Sequence, residues 1–548
     1  MPQYAKRMKT FDYIIIGAGS AGCVLADKLS ADGSHSVLLL EAGPSDDRFW
    51  ISTPIGYGMS FYDRNVNWRF STVPEPGLGG RRLYWPRGRV LGGSSSINAL
   101  VYHRGVAADY DDWAAAGNPG WDYQSVKPVF ESFEQMVDAK DKVKHAEGKL
   151  TVSDPSSSLH PMKEDFFDMC AQSQVPFDHS PSQVGEGISS YLITTRNGKR
   201  CSSAVAFLRP ALKRKNLTVM TNIDAERILF RENRASSVLC SYRGAQITFS
   251  ANREIILSAG AVKSPQLLQV SGIGPGKVLR NAGVTVKMDH PHVGMNMQDH
   301  LGINYYFKAN KPTMNNVLGR WPGRIMAGIE YVLRKTGPLS LSVNQIGGLV
   351  KTDPSLDVAN AQIYANPVSY QIKFHNKRPL LKPDTFPGFI LGFNSCRPAS
   401  AGRITITSEK AATPPEILGN YITHQKDVDD VVKMARFIGQ LQNTPAMQQI
   451  LSASPDTPLD QMSDNDIIAD FKERCGTIFH PSCTCRMGTS VENSVVNSDL
   501  KVHDIDGLRV VDASVFPNIT SANINAPTIM VAHKAAQSIL DEAKRPVR

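Results

Sequence analysis

One histidine, one asparagine and one set of spaced glycines are the residues of this chain whose types and positions could do chemistry. His480 stands in Ile478-Phe479-His480-Pro481-Ser482-Cys483-Thr484-Cys485. An imidazole with a pKa near ~6.5 can take a proton at neutral pH. Alone, a histidine before proline is more often a satisfied core residue than a base, but two further features shift that balance. Ser521-Ala522-Asn523-Ile524-Asn525-Ala526-Pro527-Thr528 opens a helix expected to reach about Ala543, with Asn525 suited to the N-cap and Pro527 to the first turn. Such a helix end has free N–H groups and a partial positive charge, and can hold a developing anion. Near the other end of the chain, Gly17-Ala18-Gly19-Ser20-Ala21-Gly22 has the GxGxxG spacing of a dinucleotide-binding turn. Of the 13 histidines, His480 therefore has the best setting for a general base; His103, His300, His503 and His533 read as peripheral or cofactor-adjacent. The Cys483/Cys485 pair beside His480 could ligate a metal in principle, but no second ligand pair accompanies it and no metal site is expected.

The glycines need elements to hold them. Phe11-Asp12-Tyr13-Ile14-Ile15-Ile16 is an apolar, β-branched run suited to a buried parallel strand. Gly17 permits the tight turn, Gly19 the close approach to a pyrophosphate, and Gly22 the packing of the next helix on the strand. Ala21 to Leu29 places Leu25, Ala26 and Leu29 on one helical face. Val37 to Leu40 forms a second strand and ends in Glu41, near the ~20-residue offset at which a carboxylate meets a ribose hydroxyl. Strand, glycines, helix, strand and acid in this order are a far stronger signal than the glycines alone.

The 548 residues exceed one ordinary core, so at least two domains are expected. The 41% hydrophobic and 20% charged content is that of a globular protein. The chain has no apolar run of the ~18 residues that a membrane-spanning helix needs. Met1 to Lys9 is basic without an apolar stretch behind it and reads as a frayed tail rather than a secretory signal. The net charge of +9 is spread along the chain, which argues for a solvated surface and against nucleic acid, and leaves peripheral membrane contact open. The eight scattered cysteines fit reduced thiols and a cytoplasmic location.

Between the glycine turn and the histidine, Arg87-Gly88-Arg89-Val90-Leu91-Gly92-Gly93-Ser94-Ser95-Ser96-Ile97-Asn98 is a poor core element but a good backbone cradle for an extended ligand. Ser125 to Glu134 and Val428 to Leu441 read as helices, and a further helix opens at Lys199-Arg200-Cys201. Ser264-Pro265 starts a helix with proline near its first turn. Leu217 to Asn222, continued by Ala225 to Phe230, then Gln246 to Ser250 and Glu254 to Gly260, look like a return to the nucleotide-binding sheet. Residues from about His300 to Leu459 mix alternating strands such as Gly402 to Thr407 with helices, and suggest an antiparallel second domain. Leu508 to Val511 is a strand ending in Asp512-Ala513.

With these residues laid out, the chain resembles the glucose–methanol–choline (GMC) oxidoreductases nearly end to end. The likeness rests on the GAGSAG unit with Glu41, on Gly88 to Gly105, on Gly260 to Gly274, and on the His480-Pro481 and Asn525-Ala526-Pro527-Thr528 segments. The resemblance implies an α/β fold, α+β overall. In it a Rossmann-like FAD-binding domain is assembled from residues 1–155, 196–300 and 465–548, and a substrate domain with an antiparallel sheet and flanking helices from 156–195 and 301–464. It implies FAD as cofactor and oxidation of an alcohol to a carbonyl, with His480 taking the hydroxyl proton, Asn525 as its hydrogen-bonding partner, and hydride passing to flavin N5. Carried over residue by residue, the ADP half falls to Gly17, Gly19, Ser20, Glu41 and the backbone of Ala225, and the flavin half to Gly92, Asn98, Leu100, Val101 and Asp512. Ala21, Gly22, Ala42, Ala99, Ala259, Ala513, Asn525, Pro527 and Thr528 are further cofactor-binding positions.

Two departures refine the expectation. Some family members tether flavin through a histidine in the loop that here reads Gly92-Gly93-Ser94-Ser95-Ser96-Ile97-Asn98, so noncovalent FAD is expected. Where several relatives carry a substrate-domain glutamate, this chain has Gln345, which counts against a cationic alcohol. The reading is thus a dehydrogenase for an uncharged primary alcohol, polyol or sugar-like substrate, delivering electrons to an external acceptor such as a quinone or dye-like carrier. An O2-using oxidase is the alternative within the same chemistry; a lyase or a redox-silent flavin-binding protein is the alternative outside it.

Overall fold

The computed structural model describes residues 9–544 except 139, 141, 145–147, 181–184, 376–377 and 455, and side chains at the same positions except 373–375 and 378–380. The basic tail expected at the N-terminus thus lies outside the described residues up to position 8; Lys9 already belongs to a strand.

Strand β1 (Lys9–Ile16) runs from an exposed start into full burial, as its Ile14-Ile15-Ile16 end demands. Helix α1 (Ser20–Leu29) follows after the glycine turn, and strand β2 (Val37–Glu41) is buried throughout. Gly17 adopts φ +101°, and a Cβ there would lie 2.5 Å from the Ser258 carbonyl oxygen. At Gly22 a Cβ would lie 1.9 Å from the Gly17 carbonyl oxygen, so only glycine lets α1 seat on its strand.

The first sheet has seven strands. Its order is Leu217–Thr221, β2, β1, Ala245–Leu257, Arg234–Tyr242, Ile223–Arg231, with Leu508–Val510 also paired to Ala245–Leu257. The strands around β1 are parallel, including Leu508–Val510, while Ile223–Arg231, Arg234–Tyr242 and Ala245–Leu257 form an antiparallel meander. The 13-residue Ala245–Leu257 strand serves both parts: its first half pairs in the meander, and its last residues pair with β1 and with Leu508–Val510. Leu217–Thr221 and Ile223–Arg231 are separate strands broken at Asn222, whose φ of +54° ends the first.

Three further helices matter here. Helix α2 (Gly260–Val270) begins five residues before Pro265 rather than at it, so the proline lies inside the helix. Proline removes the N–H that would satisfy the Ala261 carbonyl. The Thr484 hydroxyl donates to that carbonyl instead, at 2.7 Å. Helix α3 (Trp321–Arg334) lies on the outside, and helix α4 (Asn525–Ala543) packs on α1 as the best-buried helix near the chain's end. The helices expected at 125–134 and 428–441 form as Tyr123–Phe133 and Gln425–Gln442. The segment after Lys199 instead holds a short strand, Lys199–Arg200, and then a π-turn over Ala204–Leu208.

A second sheet of six antiparallel strands has the order Gly476–Thr477, Leu301–Lys308, Gly388–Ser395, Ala361–Asn366, Ile346–Val350, Gly187–Ser190. Each sheet has its own apolar core. One gathers β1, α1, β2, α2 and α4; the other gathers the six-stranded sheet with Gln425–Gln442 and neighbouring helices. All eight cysteines are free and buried, and Cys483 and Cys485 belong to the first core.

Candidate functional site

A continuous cavity of about 1170 Å³ runs between the two sheets. At one end it is walled by the glycine turn and β2; at the other it reaches His480 and the face of the six-stranded sheet. Most residues anticipated for the site line it: Gly17, Gly19, Ser20, Ala21, Glu41, Ala42, Asn98, Ala99, Leu100, Val101, Ala225, Ala259, His480, Asp512, Ala513, Asn525 and Thr528. Gly22, Gly92 and Pro527 do not line it. Gly22 seats α1, the Gly92 N–H donates to the Ala18 carbonyl at 2.7 Å, and Pro527 is buried in the first turn of α4.

The dinucleotide end is built from backbone and charge. The first turns of α1 and α4 both meet the cavity, and the Ser20 hydroxyl donates to Asn525 Oδ1 at 2.7 Å, tying the two together. Helix N-termini carry unpaired N–H groups and attract anions. A Cβ on Gly93 would come within 2.7 Å of the Gly19 Cα, so the two loops close on each other only because residue 93 is glycine. Arg89 and Lys263 lie against the cavity-lining Trp68 ring system, 5.0 and 4.9 Å from its centroid, and add positive charge. Burial lowers Lys263 to a pKa of about 8. Glu41 accepts from the Ala18 N–H (2.9 Å) and the Gly43 N–H (2.8 Å), and burial pushes its carboxyl up to about 7. Each of its oxygens retains a lone pair for a hydroxyl donor. The buried Ser258 hydroxyl and Arg89 Nε, both on cavity-lining residues, have no protein partner among the described residues. An elongated, glycine-lined slot with two helix N-termini, two cations and a carboxylate fits FAD.

Asp512 and Asn98 line the flavin-side wall but spend their side chains on the scaffold. Asp512 accepts from the Gly260 N–H at 2.8 Å and the Ser264 hydroxyl at 2.6 Å, which caps α2. Asn98 Oδ1 accepts from Arg200 at 2.7 Å and from the Leu100 N–H at 3.1 Å. The Asn98 Nδ2 is thereby left as the group that can face a ligand.

His480 is held by a second segment, around His300, which reads in sequence as peripheral or cofactor-adjacent. Gln298 and Ser482 exchange backbone hydrogen bonds, and the Ile478 N–H donates to the His300 carbonyl at 3.1 Å. Asp299 accepts from the His480 N–H at 2.7 Å, from the Tyr421 hydroxyl at 2.6 Å and from the Thr477 hydroxyl. Phe479 adopts φ +72°, a strained conformation for a bulky residue, and so turns the next side chain into the cavity. The Arg87 guanidinium donates to the Phe479 carbonyl at 2.5 Å and pins that turn.

The side-chain contacts of His480 differ from expectation. Its partner is Asn523, whose Nδ2 lies 3.2 Å from His480 Nε2. Asn525 is instead the first residue of α4, engaged with Ser20; Ile524 occupies the N-cap position, without a side-chain cap. The two asparagines are two residues apart at a helix start, and there the chain turns them to opposite partners. Behind His480 stands His300, Nδ1 to Nδ1 at 3.0 Å, and His300 Nε2 lies 2.9 Å from the Cys396 carbonyl. Burial holds His300 at about 4, and burial together with His300 and Arg87 holds His480 well below the usual histidine range. Both rings are therefore neutral at physiological pH.

Gln345, used above against a cationic substrate, is not on the cavity. Its Oε1 accepts from the His160 N–H at 3.1 Å, and its Nε2 lies on the Met314 sulfur. The residues that do face the space beyond His480 include Tyr191, Asn344, Gln362, Tyr364, Asn366 and Asn394. The cavity-lining carboxylates are Glu41, Asp224, Glu226 and Asp512, all from the first sheet and its flanks.

The N-terminal family model described as GMC oxidoreductase matches residues 11–302, and its C-terminal counterpart matches 398–532. An oxygen-dependent choline dehydrogenase of Photobacterium profundum is 39% identical over 97% of this chain and 93% of its own. An alcohol dehydrogenase (acceptor) of Pseudomonas putida is 37% identical over 97% of this chain and 96% of its own. Among solved structures, pyridoxine 4-oxidase from Mesorbium loti superposes with a TM-score of 0.86 at 27% identity, covering 97% of this chain and 99% of that one. A formate oxidase superposes at 0.90 with 25% identity, covering 98% and 100%. The glycine-turn half and the histidine-bearing half of the chain are thus both matched, in their order along the sequence, and the protein belongs to the GMC oxidoreductase family.

Proposed function

We propose that this chain oxidises an uncharged primary alcohol, polyol or sugar-like substrate to the aldehyde or ketone, with noncovalently held FAD as the redox cofactor. The observation that carries the reading is the hydrogen-bond chain behind His480. A backbone carbonyl can only accept, so His300 Nε2 carries the proton it gives to Cys396. Neutral His300 then has a bare Nδ1, which accepts from His480 Nδ1–H at 3.0 Å. His480 Nε2 therefore carries its lone pair on the cavity side, where it accepts from the Asn523 amide N–H at 3.2 Å.

An alcohol hydroxyl entering there takes the place of the Asn523 N–H on the Nε2 lone pair and donates to it, and the displaced Asn523 Nδ2 donates to the alcohol oxygen. As the proton moves to His480, negative charge grows on that oxygen, and the Asn523 donor stabilises it. The imidazolium that forms keeps its Nδ1–H on His300, so the ring does not turn during proton transfer. FAD, when bound, supplies the acceptor for the hydride that leaves the same carbon. The first turns of α1 and α4, with Ser20, Glu41 and Lys263, would hold it, and the loop Ser94–Ser96 offers serines where a histidine tether would stand.

The lack of a carboxylate on the cavity wall beyond His480, among the described residues, supports an uncharged substrate. A second reading has its own support. Phe479 packs on Phe61 at 5.2 Å, and Phe61 on Tyr84 at 5.5 Å, which puts aromatic faces next to His480; such faces attract a quaternary ammonium group without a carboxylate. A choline-like alcohol is therefore the alternative. Electrons are assigned to an external carrier such as a quinone, and the free buried thiols suit a cytoplasmic setting. Dye reduction by FAD-loaded protein with a panel of straight-chain alcohols, polyols and choline tests the reading. Turnover with neutral alcohols and not choline supports it, choline turnover alone selects the alternative, and no flavin reduction by any alcohol overturns both. Rapid reoxidation of the reduced enzyme by air in stopped flow would replace the dehydrogenase assignment with an oxidase.

A further inference from the structure

Helix α3 is turned inside out relative to an ordinary surface helix. Of its 14 residues only Ala327 and Tyr331 are buried. Trp321, Ile325, Met326, Ile329, Val332 and Leu333 face outward, with Trp321 73%, Met326 65% and Leu333 76% exposed. Phe49 and Trp50 extend the patch, and the Phe49 ring meets Tyr331 edge-on at 6.2 Å. An apolar area gathered this way, rather than scattered singly, marks an interaction surface.

The charges around the patch say what it meets. Arg320, Arg324, Arg334 and Lys335 stand at the two ends of the helix, and Arg320 and Arg334 have no carboxylate partner among the described residues. Glu330 is the one acid on the helix, and it is half-buried and accepts from the Thr336 hydroxyl at 3.1 Å. A second copy docked by a two-fold axis would set arginines against arginines across the contact. An anionic lipid surface complements all four cations while taking up the tryptophan and aliphatic side chains at the level of its headgroups. At about 21 Å long, α3 is too short to span a bilayer, and no helix among the described residues is long and apolar enough to cross one.

We propose that the outer face of α3, with Phe49 and Trp50, lies on the surface of an anionic bilayer as a peripheral anchor. This is independent of which alcohol the enzyme uses. It brings a particular wall of the cavity near the lipid: Tyr57 lines the cavity and packs against the apolar cluster of Met314, Leu318, Val343 and Val368, part of which precedes the start of α3.

The test is vesicle co-sedimentation of the full, FAD-loaded chain, with vesicles of phosphatidylcholine mixed with phosphatidylglycerol and with vesicles of phosphatidylcholine alone. We expect binding to the mixed vesicles and much weaker binding to the neutral ones. Trp321→Ser with Leu333→Ser should cut the partition coefficient about tenfold or more on mixed vesicles. Arg320→Glu with Arg334→Glu should lower it by a similar factor on mixed vesicles only. These side chains are exposed, so flavin absorbance and turnover with a soluble dye should be unchanged in both variants. Absence of binding to either vesicle, or equal binding by wild type and both variants, overturns the proposal. A concentration-dependent dimer that the Trp321→Ser/Leu333→Ser variant abolishes also overturns it, and gives the face to a second copy of the chain.

Discussion

His300 Nδ1 lies 3.0 Å from His480 Nδ1, across 180 residues of sequence, in a part-buried contact between the two sheets. With the Cys396 carbonyl behind it, this pairing dictates which nitrogen of His480 can act as a base. His300 touches no substrate in this account; it positions His480. Replacing His300 by Ala should lower kcat by roughly 10- to 100-fold with little change in KM, since ring orientation is lost while the substrate wall is intact. His300→Asn, whose side-chain carbonyl can again accept from His480 Nδ1–H, should recover part of the loss. Steady-state dye reduction on FAD-loaded variants measures both.

The depressed basicity of His480 sets the pH profile. A base works when unprotonated, and burial with nearby His300 and Arg87 disfavours the imidazolium in the free enzyme. The acid limb of kcat/KM should therefore fall below the ordinary histidine value of ~6.5, with a flat profile from there to mildly alkaline pH. A limb at or above that value would mean that the titrating base is another group. The measurement is kcat/KM against pH with a neutral alcohol.

The two asparagines at the start of α4 should separate cleanly. Asn523→Ala removes the donor beside His480 Nε2 and should lower alcohol turnover about 10- to 1000-fold while FAD stays bound. Asn525→Ala removes the acceptor of the Ser20 hydroxyl and should act mainly by weakening FAD retention. Absorbance of bound flavin after gel filtration, taken with turnover per bound flavin, tells these apart.

This division is only partly legible in the chain itself. The glycine turn, β1, α1, β2 and Glu41 can be read because their pattern is local: every partner lies within about 30 residues. The antiparallel second sheet and helix α4 also follow from periodicity and punctuation. The roles of Asn523 and Asn525 cannot be told apart in sequence, because both stand at the start of one helix and the partner of each, His480 or Ser20, is supplied only by the tertiary fold. His300 carries no signal of its own. Its neighbour Asp299 binds the His480 backbone through a loop pairing that only the tertiary fold brings about. Gln345 draws its weight only from the glutamate that several family members carry there, yet it faces Met314 and His160 rather than the cavity.

Glu41 offers a test at the other end of the cavity. Its two oxygens each accept one backbone N–H. Glu41→Gln presents an amide N–H to one of those donors, which leaves a buried N–H unpaired and costs about 1–3 kcal/mol. FAD affinity should fall about tenfold or more, because the Ala18–Gly43 wall must shift and one acceptor for a ribose hydroxyl is lost. Titration of FAD-stripped protein followed by flavin fluorescence reports it.

The central claim concerns His480 alone, and anaerobic single-turnover kinetics addresses it without interference from any electron acceptor. His480→Ala should retain its yellow FAD spectrum, and its flavin should be reduced by alcohol about 10²- to 10⁴-fold more slowly than in the wild type. Reduction at the wild-type rate, or loss of FAD in parallel with loss of activity, would contradict the account.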